Sequence, residues 1–253
     1  MEKYFEKFLA DCEPMNSMVQ FSNKINAYQY RKPFTITSRF LKPAGRVLDW
    51  GCGNGHFSMF LLYNKQKTTA YGFGESSASP CIADDPLLEF VAADTREPVK
   101  LPFAAGSFDL VVSMGVLEHV HDSGGEQLAS LQEIKRILKP GGFFLCFHFP
   151  YCGSWVERLI CLCMPFVKMG YVHTKRFSKN DVMQLCNDAN IHFDEWGRYN
   201  FLPRNISQKL PCSVTNNDFF LALFNAVDRA LSLCLPWFCN QSYFIAQKAD
   251  NPE

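Results

Sequence analysis

The chain has no surplus of charge. Its 25 Lys and Arg residues are matched by 25 Asp and Glu, for a formal net charge of +0 at pH 7. A polyanion such as nucleic acid therefore finds no electrostatic reason to bind. No run of about 18 uncharged apolar residues occurs, so a spanning helix is not expected. Paired zinc spacing is missing from the 11 cysteines. They are scattered, several in apolar surroundings, which suits free buried thiols in a reducing cytoplasm better than disulfides. The start, Met1 to Lys7, is mixed in charge and does not read as a signal peptide. Internal repeats and low-complexity linkers are also lacking. What the chain does have is apolar matter, 47% of its 253 residues, ample for a core. The length fits one large α/β domain, or one domain with an appendage.

The stretch Gly45 to His56 organises the rest. Val47 and Leu48 read as a buried strand. Gly51, Gly53 and Gly55 allow a tight turn on which a ligand can lie directly against the backbone. The helix after it, from about His56 to Leu62, presents free N–H groups in its first turn. Asp49 stands at the carboxyl end of the strand, where open α/β sheets bind ligands. The spacing Asp-x-Gly-x-Gly-x-Gly is not the Gly-x-Gly-x-x-Gly of dinucleotide enzymes. An acid at the strand end would repel a pyrophosphate and attract an ammonium or sulfonium. The competing reading is a glycine turn without a ligand.

Further strands are expected at 68–73, 87–92, 108–113, 143–149, 191–196 and 241–247, the last two forming the antiparallel end of the sheet. Helices are expected at 2–12, 34–41, 127–138, from Ser178 to Ala189, and at 218–235. Glu75 lies 20 residues past Gly55, about where a ribose-binding acid belongs, though one position late. It reads otherwise as an exposed loop acid. Asp94 ends the third strand.

The glycine loop resembles motif I of the class I S-adenosylmethionine-dependent methyltransferases. A second resemblance lies in Leu101-Pro102-Phe103, Phe108-Asp109 and Val116-Leu117-Glu118-His119-Val120, and a third in the turn Lys139-Pro140-Gly141-Gly142. Together they span about 46 to 149. The resemblance implies a Rossmann-like, seven-stranded, mostly parallel sheet with helices on both faces, an antiparallel last strand and a helical insertion. It implies S-adenosylmethionine as cofactor, contacted by Asp49, Gly51, Cys52, Gly53, Glu75 and Asp94, with Thr95 and Met114 helping through their backbones. Asp94 would accept from the adenine amino group. The organisation implied is a single domain: a helical cover over 1–39, a cofactor core over 40–150, an acceptor-side insertion and helices over 151–240, and a last strand over 241–248.

Methyl transfer from a sulfonium is an in-line displacement with a neutral leaving group, so the enzyme mainly positions. A base is needed only for a protonated acceptor such as a hydroxyl. His119 and His148 are the candidates, with His173 and Tyr171 as a closing lid. Gly115 stands where metal-binding relatives carry Glu, so no metal is expected. The apolar stretch 155–169 and the helix 218–235 read as a lid and a buried helix with a dimer face, or as an interfacial surface for a lipid-like acceptor. Neither has the Lys/Arg-rich face that anionic membranes favour, so a membrane surface is the less favoured partner. The acceptor expected is a small molecule, a glycan precursor or a lipid-like compound, methylated on oxygen in the first place, with nitrogen or carbon as the alternatives. A non-catalytic nucleotide binder and a nicotinamide oxidoreductase compete with this reading. Asp49 and the glycine spacing argue against the second.

Overall fold

The structure is a computed structural model that describes residues 2–11, 18–73, 82–163 and 175–250. Glu75, Tyr171 and His173 lie outside the described residues. Seven strands form one sheet: β1 (Arg46–Trp50), β2 (Lys67–Gly72), β3 (Leu88–Ala92), β4 (Phe108–Met114), β5 (Leu138–Pro150), β6 (His192–Tyr199) and β7 (Gln241–Gln247). Their order is β3-β2-β1-β4-β5-β7-β6. Pairing is parallel from β3 to β5 and antiparallel on both sides of β7, so only β7 runs against the rest. The order reverses between β1 and β4, the switch point where ligands enter such sheets.

The helices are α1 (Glu2–Asp11), α2 (Lys24–Ala27), α3 (Arg31–Thr37), α4 (His56–Tyr63), α5 (Gln127–Ile137), α6 (Trp155–Cys163), α7 (Lys179–Asp188), α8 (Cys212–Thr215) and α9 (Asp218–Cys234). Crossover helices bury both faces of a parallel sheet, and its strands become near-continuous apolar runs. Val47, Leu48, Val111, Val112 and Phe144 are accordingly buried. Asp109 ties the far end of the sheet together: its Oδ2 accepts from the Arg46 backbone N–H at 3.0 Å and from Lys139 Nζ at 2.8 Å. The Phe-Asp and Lys-Pro-Gly-Gly motifs thus meet at the edge opposite the glycine loop.

The N-terminal cover is glued to α4 by rings. Phe34 stacks on Phe60 at 4.2 Å, and Phe8 meets Phe34, Phe60 and Tyr63 edge-on at 5.3–5.7 Å. Such pairs add to simple burial. The helix expected at 34–41 starts earlier, at Arg31, and ends at Thr37. This places Tyr30 at its start. α7 carries the expected Ser178 cap as a full capping box with Asp181. β6 runs on to Tyr199, three residues past the expected end, and this brings Tyr199 beside His148.

α9 reverses the usual polarity. Its polar stripe faces inward: Asp228 accepts from the Leu202 backbone N–H at 2.7 Å and from Arg204 Nη2 at 2.9 Å. Asn225 accepts from Arg204 Nη1 at 2.8 Å, and Ser232 from the Phe201 N–H at 3.3 Å. Much of the apolar surface turns outward, with Phe219 79% and Leu233 72% exposed, while Leu221 is buried and Phe220 and Phe224 pack on the core. The expectation of a buried helix is corrected here. A buried arginine needs partners more than leucines need cover. No helix among the described residues is long and apolar enough to cross a membrane.

Candidate functional site

The glycine loop leaves β1 through two bonds to one carbonyl. The N–H groups of Gly51 and Cys52 both donate to Tyr71 O, at 2.8 and 3.0 Å. Gly51, Gly53 and Gly55 all have positive φ, a region that side chains disfavour. Two of them have different tasks. A Cβ on Gly51 would overlap Val116 in the loop after β4, whereas one on Gly53 would meet nothing within 4 Å. Gly51 is therefore a packing glycine, and Gly53 offers bare backbone to open space. Cys52 is buried beside it.

Acids stand at successive strand ends. Asp49 is buried, and its Oδ2 accepts from Ser58 Oγ at 2.7 Å. Burial raises its pKa to about 6, against the pull of Ser58. Asp94, after β3, is exposed and gripped by Arg96 through Nε at 3.1 Å and Nη2 at 2.9 Å. These bonds hold its pKa down at about 2. With the Arg96 N–H also on Oδ1, three acceptor positions of the carboxylate are used, and one on Oδ2 is left. Thr95 is exposed.

Beyond the carboxyl end of β4 lies a ring cluster in which Tyr30, His56 and Tyr199 are buried and His148 is half-buried. Met114 ends β4, and its Sδ sits 3.3 Å from His56 Nε2. Tyr30 packs on His56 at 4.8 Å and on His148 at 5.3 Å, and His148 packs on Tyr199 at 5.9 Å. His148 occupies a bulge in β5, between residues that pair with β7 on either side. Its φ is 57°, a left-handed backbone rare for a side-chain-bearing residue. Strain of this kind gathers at functional sites. The His148 N–H is held by Tyr199 Oη at 3.1 Å, and the ring donates to the Gln29 carbonyl.

Both imidazoles are neutral. Burial lowers the pKa of His56 to about 4. Burial, then the neighbouring His56, lowers His148 to about 3. His148 Nε2 and His56 Nδ1 are buried without a hydrogen-bond partner. A buried polar atom left unpaired invites a ligand or a water. Of the sequence-expected bases, His148 is thus in the cluster. His119 lies half-buried on the short helical segment Leu117–Ser123, with its Nδ1 on Asp122 at 2.9 Å. Tyr30, His56 and Tyr199 were missed. His56 had a signal, a histidine opening a helix directly after a glycine loop. Among the described residues, no three His, Cys, Asp or Glu side chains are placed to hold a metal ion.

The cover closes over this region. Asn54, next to Gly53, donates to Gln20 Oε1 at 2.8 Å, and Phe21 meets His56 edge-on at 6.4 Å.

A family model described as a methyltransferase domain matches residues 25–198. A Mycolicibacterium smegmatis protein described as a probable S-adenosylmethionine-dependent methyltransferase is 29% identical over 170 residues, 66% of this chain and 61% of its own length. A fatty-acid O-methyltransferase of that organism is 28% identical over 136 residues, 52% of this chain and 47% of its own. A solved SAM-dependent methyltransferase of Methanosarcina mazei shares the fold, with a TM-score of 0.58 at 19% identity over 85% of this chain and 98% of that one. The matches cover 37–61% of the length of four curated relatives, so what those whole proteins do is not thereby shown for this chain.

Proposed function

The chain belongs to the methyltransferase-domain family, and from that premise we propose that it moves a methyl group from S-adenosylmethionine to an oxygen of a small-molecule, glycan-precursor or lipid-like acceptor. The fit of the cofactor rests on the loop and the acids. Gly53 leaves room for a ligand against the backbone. Asp94 keeps one acceptor position for an adenine amino group, and Asp49 supplies a carboxylate for the ammonium of the amino-acid moiety. Gly51, Cys52, Thr95 and Met114 frame the same edge, and Glu75 would take the ribose hydroxyls. The cofactor supplies an electrophilic methyl group whose sulfonium departs as a neutral thioether.

His148 is the observation that carries the oxygen reading. Its Nε2 lone pair is dry, unpartnered and fixed by the sheet. It would accept a hydrogen bond from the acceptor hydroxyl and aim the oxygen lone pair. As oxygen gains the methyl group, its proton becomes far more acidic than an imidazolium, so a weak base suffices to take it. His119, paired with Asp122, would act at most on the approach of the acceptor. Neutral net charge leaves nucleic acid without an electrostatic hold, and a homodimer through the outer face of α9 is one partner this surface would accept.

The test is transfer of label from methyl-tritiated S-adenosylmethionine into aqueous and chloroform extracts of small molecules. The wild type should label one fraction. His148→Asn, which tolerates the left-handed backbone, should lose about 100-fold or more in rate while S-adenosylhomocysteine affinity stays within about threefold. Calorimetry should show tight binding of S-adenosylhomocysteine and none of NADH or ATP. Binding without label transfer would leave a non-catalytic binder, and full activity in His148→Asn would remove the base.

A further inference from the structure

Single apolar side chains on a surface are ordinary, but a concentration of them marks a contact. Apart from Phe73 and Met183, the exposed large apolar side chains of the described residues come from α6 and residues 206–238. On α9, Phe219, Leu223, Ala226, Ala230 and Leu233 are exposed and recur at helical spacing, so they fall on one stripe about 21 Å long. The chain runs on from it into Leu235, Trp237 and Phe238, also exposed, Trp237 to 62%. The Trp237 carbonyl lies against Gly153, just before α6. Phe201 ties the two helices together: its carbonyl accepts from Trp155 Nε1 at 2.8 Å, and its N–H donates to Ser232 at 3.3 Å. α6 adds Leu159 and Leu162, 48% and 73% exposed.

What covers this surface is read from its charges. The acids between 196 and 241 are Asp218 and Asp228, and both are answered, Asp218 by Lys24 at 2.7 Å and Asp228 by Arg204 at 2.9 Å. On α6, Glu157 faces Arg176 at 3.5 Å. Arg158, Lys209 and Arg229 are exposed, and among the described residues no ion pair holds them. The charge left over around the apolar stripe is therefore positive, which fits an anionic partner. A second copy would bring the same cations to the interface twice, with the acids of these segments already taken. α9 has the polarity of an interfacial helix, its polar side taken by the protein and its apolar side presented. A tryptophan at the end of such a face is the side chain that settles at the headgroup level of a bilayer. The lack of Lys and Arg on the polar stripe, which weighs against a membrane in the sequence, loses that weight once the stripe faces the protein.

We propose that α9, the turn after it and α6 form a docking surface for an anionic lipid bilayer, on which the protein rests with α9 in the plane of the headgroups. α9 lies on the bilayer and does not span it, since Asp228 is clamped to Arg204. The proposal depends neither on His148 nor on the identity of the acceptor. Burying a side chain of the size of Phe219 or Leu233 should strengthen adsorption about tenfold. Each cation near the anionic surface should add about fivefold.

The experiment is co-sedimentation of the full chain with vesicles of phosphatidylcholine alone and of equal parts phosphatidylcholine and phosphatidylglycerol. The wild type should bind the anionic vesicles about tenfold or more tightly than the neutral ones, and added salt should weaken that binding. Phe219→Ser combined with Leu233→Ser should lose about tenfold or more with thermal unfolding unchanged. Arg229→Gln should lose about fivefold. A brominated phosphatidylcholine in the anionic vesicles should quench tryptophan fluorescence, and Trp237→Phe should remove most of the quenching. No adsorption to anionic vesicles, equal adsorption to both kinds, or quenching that persists in Trp237→Phe would overturn the proposal. So would a dimer in sedimentation velocity that the serine pair dissolves, which would give the face to a second copy. Should the serine pair unfold, Arg229→Gln and Trp237→Phe decide the matter alone.

Discussion

The two helices α4 and α9 follow opposite rules. α4 is buried over seven of its eight residues and packs on the rings of Phe8, Phe34 and Phe147. α9 holds Asn225, Asp228 and Ser232 against the protein, packs only Phe220, Leu221 and Phe224 on the core, and shows Phe219, Leu223, Val227 and Leu233 to the outside. The cofactor half of the chain is held by a hydrophobic core of the ordinary kind. α9 is held largely by a buried polar clamp, with much of its apolar area left exposed. The difference teaches that one fold anchors helices in two ways, by apolar packing in α4 and by a buried polar clamp in α9.

The largest effect should come from the clamp. Arg204 and Asp228 are 5% and 9% exposed, so removing one strands the other. Arg204→Met should destabilise by about 3–5 kcal/mol, and Arg204→Met with Asp228→Leu should recover much of that. Urea unfolding measures both. A loss below about 1 kcal/mol, the usual surface-pair value, would mean α9 is held by apolar contacts and would dissolve the contrast.

The next effect sharpens the cofactor half. Gly51→Ala combines a left-handed backbone with overlap on Val116 and should cost about 2–4 kcal/mol. Gly53→Ala meets open space and should cost only about 1–2 kcal/mol, while S-adenosylhomocysteine binding weakens. Equal losses of stability in the two variants would show that the loop has no open side.

The smallest effect is one of pH. Burial raises the Asp49 pKa from 3.8 to about 6 in the fold. The stability it contributes is full below about 4, is lost as pH rises through about 6, and this loss should disappear in Asp49→Asn. The ammonium group of the ligand favours the ionised form, so S-adenosylhomocysteine should bind more weakly as pH falls below about 6, by at most about tenfold per pH unit. Asp94, held at about 2 by Arg96, stays ionised across this window and adds no second limb. A Kd that is flat from pH 5 to 8 would detach Asp49 from the ligand.

The sheet was legible because its strands are short apolar runs ended by glycine or acid, as Val47-Leu48-Asp49 shows. The glycine loop was legible for the same local reason. Tyr30, His56 and Tyr199 were not. They come from three separate stretches, and only tertiary packing brings their rings within 6 Å of one another or of His148. The orientation of α9 was hidden by its partner. A narrow polar stripe on an apolar helix points outward by default, and here Arg204 and the backbone of residues 201–202 reverse it. The stripe itself was the clue, being too narrow to wet a surface helix.

His148 sits on β5, laddered to β4 on one side and β7 on the other. Phe21, Tyr30 and α9 hang from short helices and side-chain bonds. On the proposed reading, the acceptor-side imidazole is thus cast into the frame, and the groups around it are mounted on it. Exchanging the mounted parts could retune which molecules are admitted while the imidazole stays where it is, so this scaffold lends itself to new guests without new chemistry.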